Sequence, residues 1–304
     1  MNCKTLILAL IFGAVNTLEI SAAHAENGSV EILPDNAAQR INFSGKLRML
    51  SQRIPSAACH LAQDVDPAAA TALLSASIAE FEEILTALEL GNTDLNIIAP
   101  ETNRRILEAI GVLRSRWEPL RQAAEAVANG TASASDRAYV LNDNLQVLEA
   151  AQLLVDRLTR QYSNPNAMSM SSLLMIDISG RQRMLSQRMS KESCMIQSGI
   201  ETAELRENLQ NTMQVFENSL GALRDGMEDV GIQPPPNDEI ASGLIQVAEE
   251  WESVKPHLSE VLAGDEIYHE TDVFRFQCLN TIMVKMNKVV GMYEEAVPRL
   301  EPLL

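Results

Sequence analysis

Two ten-residue stretches carry the same polar side chains in the same order, SGKLRMLSQR at residues 44–53 and SGRQRMLSQR at residues 179–188. Each sets an arginine, Arg48 or Arg183, one helical turn after a serine, Ser44 or Ser179, and one turn before a glutamine, Gln52 or Gln187. With Ser44 as zero on a helix, Arg48 falls at about 40°, Gln52 at about 80°, Gly45 at about 100° and Ser51 at about 340°. Leu47, Leu50, Ile54, Ala58 and Leu61 fall between about 240° and 320°, so a bundle core adjoins a small, polar face that holds one guanidinium. A fixed guanidinium offers a planar fork of donors that fits a carboxylate or a planar oxyanion. The chemistry on offer is anion binding, with Arg48 and Arg183 as ligands and Ser44, Ser179, Gln52 and Gln187 as supporting donors or packing. Gly45, Gly180, Ser51 and Ser186 let another helix approach closely, and Met49 and Met184 pack beside them. Arg53, at about 180°, points away from this face, and Arg188 repeats it in the second copy.

The boxes lie in two islands without acidic residues, one holding Arg40, Lys46, Arg48 and Arg53 and the other Arg181, Arg183, Arg188 and Lys191, within a chain of net charge −17. That charge argues against nucleic acid or anionic lipid as the main partner. Structural ion pairing with glutamates on neighbouring helices is the alternative use of Arg48 and Arg183. Other chemistry is poorly supported. His60, His257 and His269 are isolated, and neither a nucleophile motif nor a glycine-rich phosphate loop occurs, so the chain reads as a non-enzyme without a cofactor. Met168, Met170, Met175, Met184, Met189 and Met195 could suggest Cu(I), but methionines at helical spacing are more often core.

The elements that must position these residues are helices written twice. A shift of 135 residues aligns Ile41–Cys59 with Ile176–Cys194, with 10 of 19 pairs identical, and it also aligns FEEILTALELG at 81–91 with FENSLGALRDG at 216–226. A shift one residue shorter places Trp117 on Trp251. Such self-similarity marks tandem domains. The first copy reads as helices over 36–63, 67–90, from Pro100 to about Asn129, and from Ser133–Asp136 to Tyr162, with Pro55 expected to kink the first. The second repeats this with breaks at Gly199, at 226–236 and at Gly264. The expected fold is all-α, two up-down-up-down four-helix bundles over residues 26–164 and 165–304 that form a pseudo-dimer. An even helix count returns the chain to its starting end, so the two box helices can lie side by side and parallel.

Residues 1–25 have one lysine, an apolar run from Leu6 to Val15 and a small-x-small triplet at Ala23–Ala25, the pattern of a cleaved secretory signal. The run is about half of the roughly 20 residues needed to span a bilayer. A periplasmic mature chain without a membrane span is therefore expected. Cys59, Cys194 and Cys278 follow the signal, enough for one disulfide and one thiol.

At both boxes, at F-E-x-x-L-x-A-L-x-x-G and at the Trp positions, the chain resembles the N-terminal sensor domain shared by type IV pilus methyl-accepting transducers (PilJ-like) and nitrate/nitrite sensor kinases (NarX-like). The resemblance covers nearly the whole mature chain. It implies that the first box arginine of each partner, here Arg48 and Arg183, holds an anion on a two-fold axis, so that one chain forms a pseudo-dimer around a single site. Phe43 and Ile178 stand where the nitrate sensors have lysine, and Gln52 and Gln187 where they have tyrosine, so the implied ligand is a small anion, nitrate- or nitrite-like or a small carboxylate. Cys59 and Cys194 occupy equivalent places and are disulfide candidates if their Cα atoms come within roughly 4.4–6.8 Å. The leading expectation is a small-anion sensor acting through a membrane receptor or another extracytoplasmic partner. The alternative is a helical interaction module of a pilus, chemotaxis or two-component system, with the boxes meeting within one chain or between two copies of a homo-oligomer.

Overall fold

The computed structural model describes residues 34–162, 170–200, 202–265 and 268–296. The secretory-signal residues and the linker at 163–166 lie outside that set. The described residues are helical throughout apart from turns and belong to one compact unit. The first repeat contains α1 (Pro34–Ala62), α2 (Pro67–Leu90), α3 (Arg104–Ala128), α4 (Ala134–Asn142) and α5 (Asn144–Tyr162). The second contains α6 (Met170–Gln197), α7 (Ala203–Asp225), α8 (Asp238–Ala263) and α9 (His269–Ala296). The fold is two tandem four-helix bundles, as the patterning predicts.

Local chemistry sets the helix ends. Asp66 accepts the Ala69 N–H and Pro67 opens α2, while Ser133 and Asp136 form a reciprocal capping box on α4. Gly91 and Gly226 end α2 and α7 at φ 81°, a conformation costly for any side chain-bearing residue, and lead into matching turns closed by the pairs Asn92–Ile97 and Met227–Ile232. Each bundle is filled by an aromatic pair. Phe81 stacks on Trp117 at 3.9 Å and Phe216 meets Trp251 at 4.8 Å.

One expectation is refined at the fourth helix of repeat one, which Asp143 interrupts. The cause lies across the bundle. Pro55 has no N–H, so the Ser51 carbonyl one turn back in α1 loses its helical donor. Fully buried Asn144, the first residue of α5, donates Nδ2 to that oxygen at 3.1 Å. The helical assignment of α1 runs unbroken past Pro55. In repeat two the matching residues are Ser190 and Leu279, and α9 is continuous.

The bundles share one core, a single cluster of buried residues running from Ala37 of α1 to Tyr293 of α9. Its centre is the α1–α6 contact, the most extensive between any two helices. These helices are parallel and in register, since Cys59 and Cys194, 135 residues apart, are joined as a disulfide with Cα atoms 6.2 Å apart, and Ser56 Oγ donates to Ser190 Oγ at 2.8 Å. Cys278 is a buried thiol. Because each box helix is covered by its own bundle on one side and by the other repeat on the next, Ser44, Ser51, Ser179, Ser186, Gln52 and Gln187 are all fully buried.

Candidate functional site

The parallel register brings Arg48 and Arg183 to one place. Both residues are almost wholly excluded from solvent, at 1% and 0% of the residue surface. A Cβ built on Gly45 would stand 3.4 Å from Nη2 of both arginines, and one on Gly180 would stand 3.3 Å from Arg183 Nη2 and 3.8 Å from Arg48 Nη2. The paired glycines thus form the floor on which the guanidiniums lie, and any larger residue would crowd them. Two like charges are held together in a dry interface.

Their partners differ. Arg48 Nη1 donates to Gln152 Oε1 of α5 at 2.8 Å, and its Nη2 donates to Asp177 Oδ1 of α6 at 2.7 Å, an ion pair between the repeats with side chains 2% and 18% exposed. Arg183 Nη1 donates to Asn287 Oδ1 of α9 at 2.8 Å, its Nη2 reaches only the Asn42 carbonyl at 3.4 Å, and among the described residues it forms no ion pair. The 135-residue shift relates Gln152 to Asn287 and Asp177 to Asn42. The site is thus two-fold in geometry and asymmetric in charge, with a side-chain carboxylate on one arm and a backbone carbonyl on the other.

Electrostatics follows from this. Burial lowers Arg183 to about 10, with Glu294 opposing the shift and Arg48 adding to it. Burial also lowers Arg48, with Asp177 as the main opposing charge. Glu294 of α9 receives a hydrogen bond from Asn42 Nδ2 at 2.8 Å, and burial pushes its carboxyl up to about 7 against the pull of Arg183. Among the described residues, Asn42 Oδ1 and Glu294 Oε1 are buried without hydrogen-bond partners, as are Arg48 Nε, Gln52 Oε1 and Gln187 Oε1. Two buried guanidiniums thus share one ion-paired carboxylate, Asp177.

The remaining box residues bond as follows. Ser44 and Ser179 donate their hydroxyls to Ile41 O and Met175 O of their own helices, and Ser51 and Ser186 do the same to Arg48 O and Arg183 O. Gln187 Nε2 donates to Leu279 O at 3.2 Å, and Gln52 Nε2 to Ser51 Oγ at 3.2 Å. Met49 is buried and Met184 packs against the core edge. Arg53 is half-buried, and Arg188 pairs with Glu192 at 2.7 Å. Most of the basic islands are neutralised structurally, Arg40 by Glu101, Lys46 by Glu80 and Arg181 by Asp177. Met175, Met189 and Met195 are core residues, and no group of three metal-ligating side chains occurs among the described residues.

Asp177, Asn42, Gln152, Asn287 and Glu294 escaped the reading of the boxes. The first four carried a signal, because each is polar at a position that the repeat shift pairs with another polar residue. Glu294 carried a weaker one, since its counterpart Thr159 is polar but neither an amide nor an acid.

A search of curated proteins finds no match to the chain. The family model described as "Type IV pili methyl-accepting chemotaxis transducer N-term" (PilJ) matches residues 34–142 and 167–273. Both boxes fall inside the matched stretches, whereas Gln152, Asn287 and Glu294 fall outside. With most of its length covered by the two matches, the chain belongs to the PilJ family as two tandem copies of its domain.

Proposed function

We propose that this chain is a non-enzymatic, extracytoplasmic sensor whose two repeats hold one small anion, nitrate- or nitrite-like or a small carboxylate, between Arg48 and Arg183. The observation that carries this reading is Arg183, a fully buried guanidinium that forms no ion pair among the described residues and has a second guanidinium beside it. An unpaired buried charge costs several kcal/mol, which an anion accepting from both forks would offset. Export is supported by the reading of residues 1–25 and by the Cys59–Cys194 disulfide, a bond that persists in oxidising compartments. Among the described residues no helix is long and apolar enough to cross a membrane, so the reading includes a separate membrane receptor or other extracytoplasmic partner to pass on the signal. The family's transducer description agrees with such a role.

Calorimetry with nitrate, nitrite, formate and acetate tests the site. A ligand of four heavy atoms reaches at best about −6 kcal/mol, or tens of micromolar. At least one anion should release heat in that range or weaker, and Arg183→Met should abolish the response while keeping the fold. Silence with all four anions, or a response that survives Arg183→Met, refutes the reading.

A further inference from the structure

The repeats differ at the opposite end of the bundles, where a side chain fills in one copy what is open in the other. In repeat two, Arg206 of α7 reaches the C-terminus of α8 and donates Nη1 to the Val261 carbonyl at 2.9 Å and the Leu262 carbonyl at 2.6 Å. Its Nη2 would lie 3.4 Å from a Cβ on Gly264. The 135-residue shift puts Thr71 of α2 at that place in repeat one, and its hydroxyl turns back to the Pro67 carbonyl. The shift that aligns the tryptophans makes Val127 and Ala128 the counterparts of Val261 and Leu262. With no arginine between them, a cavity of about 450 Å³ remains, lined among others by Leu61, Thr71, Val127, Ala128, Ala132 and Arg137. That volume lies in the usual range of small-molecule sites.

Its polar ends have opposite sign. The last carbonyls of α3 carry the negative end of the helix dipole. Among the described residues the Ala128 carbonyl accepts no backbone hydrogen bond, and Val127 accepts from the turn that follows, as Val261 does while also holding Arg206. On another wall, exposed Arg137 donates Nη1 to Ala132 O at 2.7 Å, and its other donors meet no acceptor among the described residues. Leu61, Val127 and Ala132 supply the apolar surface of the cavity. We propose that this pocket binds a small linear zwitterion, an ω-guanidino or ω-amino carboxylate, with its cation on the Val127 and Ala128 carbonyls where Arg206 sits in the other repeat, and its carboxylate on Arg137. The Arg137 charge opposes a ligand that is only a cation and favours one that brings a carboxylate.

Titration calorimetry with 4-guanidinobutanoate, agmatine and butanoate tests this. The zwitterion should bind one per chain, and agmatine and butanoate, each lacking one end, should bind at least about tenfold more weakly, the loss expected for one charge-assisted contact. Arg137→Ala should weaken 4-guanidinobutanoate by a similar factor and leave agmatine unweakened. Thr71→Arg, which copies the filled repeat, should abolish binding with an unchanged or higher Tm. Absence of zwitterion binding at millimolar concentration, equal binding of butanoate, or binding that survives in folded Thr71→Arg overturns the proposal. If Thr71→Arg does not fold, the three-ligand comparison and Arg137→Ala decide alone. Arg183→Met should leave this binding intact, so the pocket and the arginine pair are tested separately.

Discussion

Replacing Asp177 with asparagine separates what the arginine pair costs from what it can hold. The carboxylate bonds Arg48 Nη2 at 2.7 Å and Arg181 Nε at 3.1 Å. The second pair involves a half-exposed arginine and contributes little. The first is nearly dry, and removing one partner of a buried pair costs about 3–5 kcal/mol, reduced here to about 2–3 kcal/mol because Asp177 keeps some access to water. The introduced amide would leave both guanidiniums without an ion pair among the described residues. Thermal unfolding should then fall by about 4–12 °C, at roughly 2–4 °C per kcal/mol for a chain of this size. The same change removes the group that competes with an anion for Arg48. A hydrogen bond between charged groups is worth about 1.5–3 kcal/mol, so anion affinity should rise about 10- to 100-fold. Thermal shift and calorimetry on wild type and Asp177→Asn with nitrate, nitrite, formate and acetate, at constant ionic strength, read both effects. A destabilised variant whose response to every anion is no stronger than that of wild type would show that the pair is only structural. An undamaged Tm would contradict the burial of Arg48.

Further outcomes follow from neighbouring contacts. The folded pKa of Glu294, about 7, lies above that of an ordinary carboxyl, so its contribution to stability is full below about pH 4 and is lost as pH rises through about 7. Glu294→Gln should therefore stabilise the chain at pH 8 and not at pH 4, and anion affinity should strengthen as pH falls through about 7 in wild type but not in the variant; equal pH slopes in the two would remove Glu294 from the site. Asn144→Leu orphans the Ser51 carbonyl and should cost about 1–3 kcal/mol in urea unfolding, and clearly less in a Pro55→Ser background, where residue 55 regains an N–H; additive losses would refute that link. Cys59→Ser with Cys194→Ser opens a closure between residues 135 apart and should lower stability by about 2–5 kcal/mol, matched by wild type under reductant; an unchanged midpoint would mean that the α1–α6 register holds without the bond.

What the chain revealed by itself was periodic. Apolar spacing, capping residues and stop glycines outline the helices, and α2 falls on its expected bounds because Asp66, Pro67 and Gly91 act within one turn of themselves. The interruption at Asp143 was hidden because its cause, the carbonyl freed by Pro55, belongs to a helix some 90 residues earlier. Helical angles likewise separated the Arg48 face from the core but could not say what that face meets. Ser44 and Ser179 sit where donors to a ligand would, yet a buried serine in a helix satisfies itself on the preceding turn, and both hydroxyls do so.

Sequence alone determined the duplication, the fold class and the two arginines, because repeat shift and helical pitch are local or self-comparing properties. Only the tertiary structure decided that Arg48 is paired and Arg183 is not. That distinction depends on which of Asp177, Asn42 and Glu294 reaches which guanidinium across the α1–α6 seam, and charge compensation in a dry interface acts over ångströms in space and not over positions in the chain.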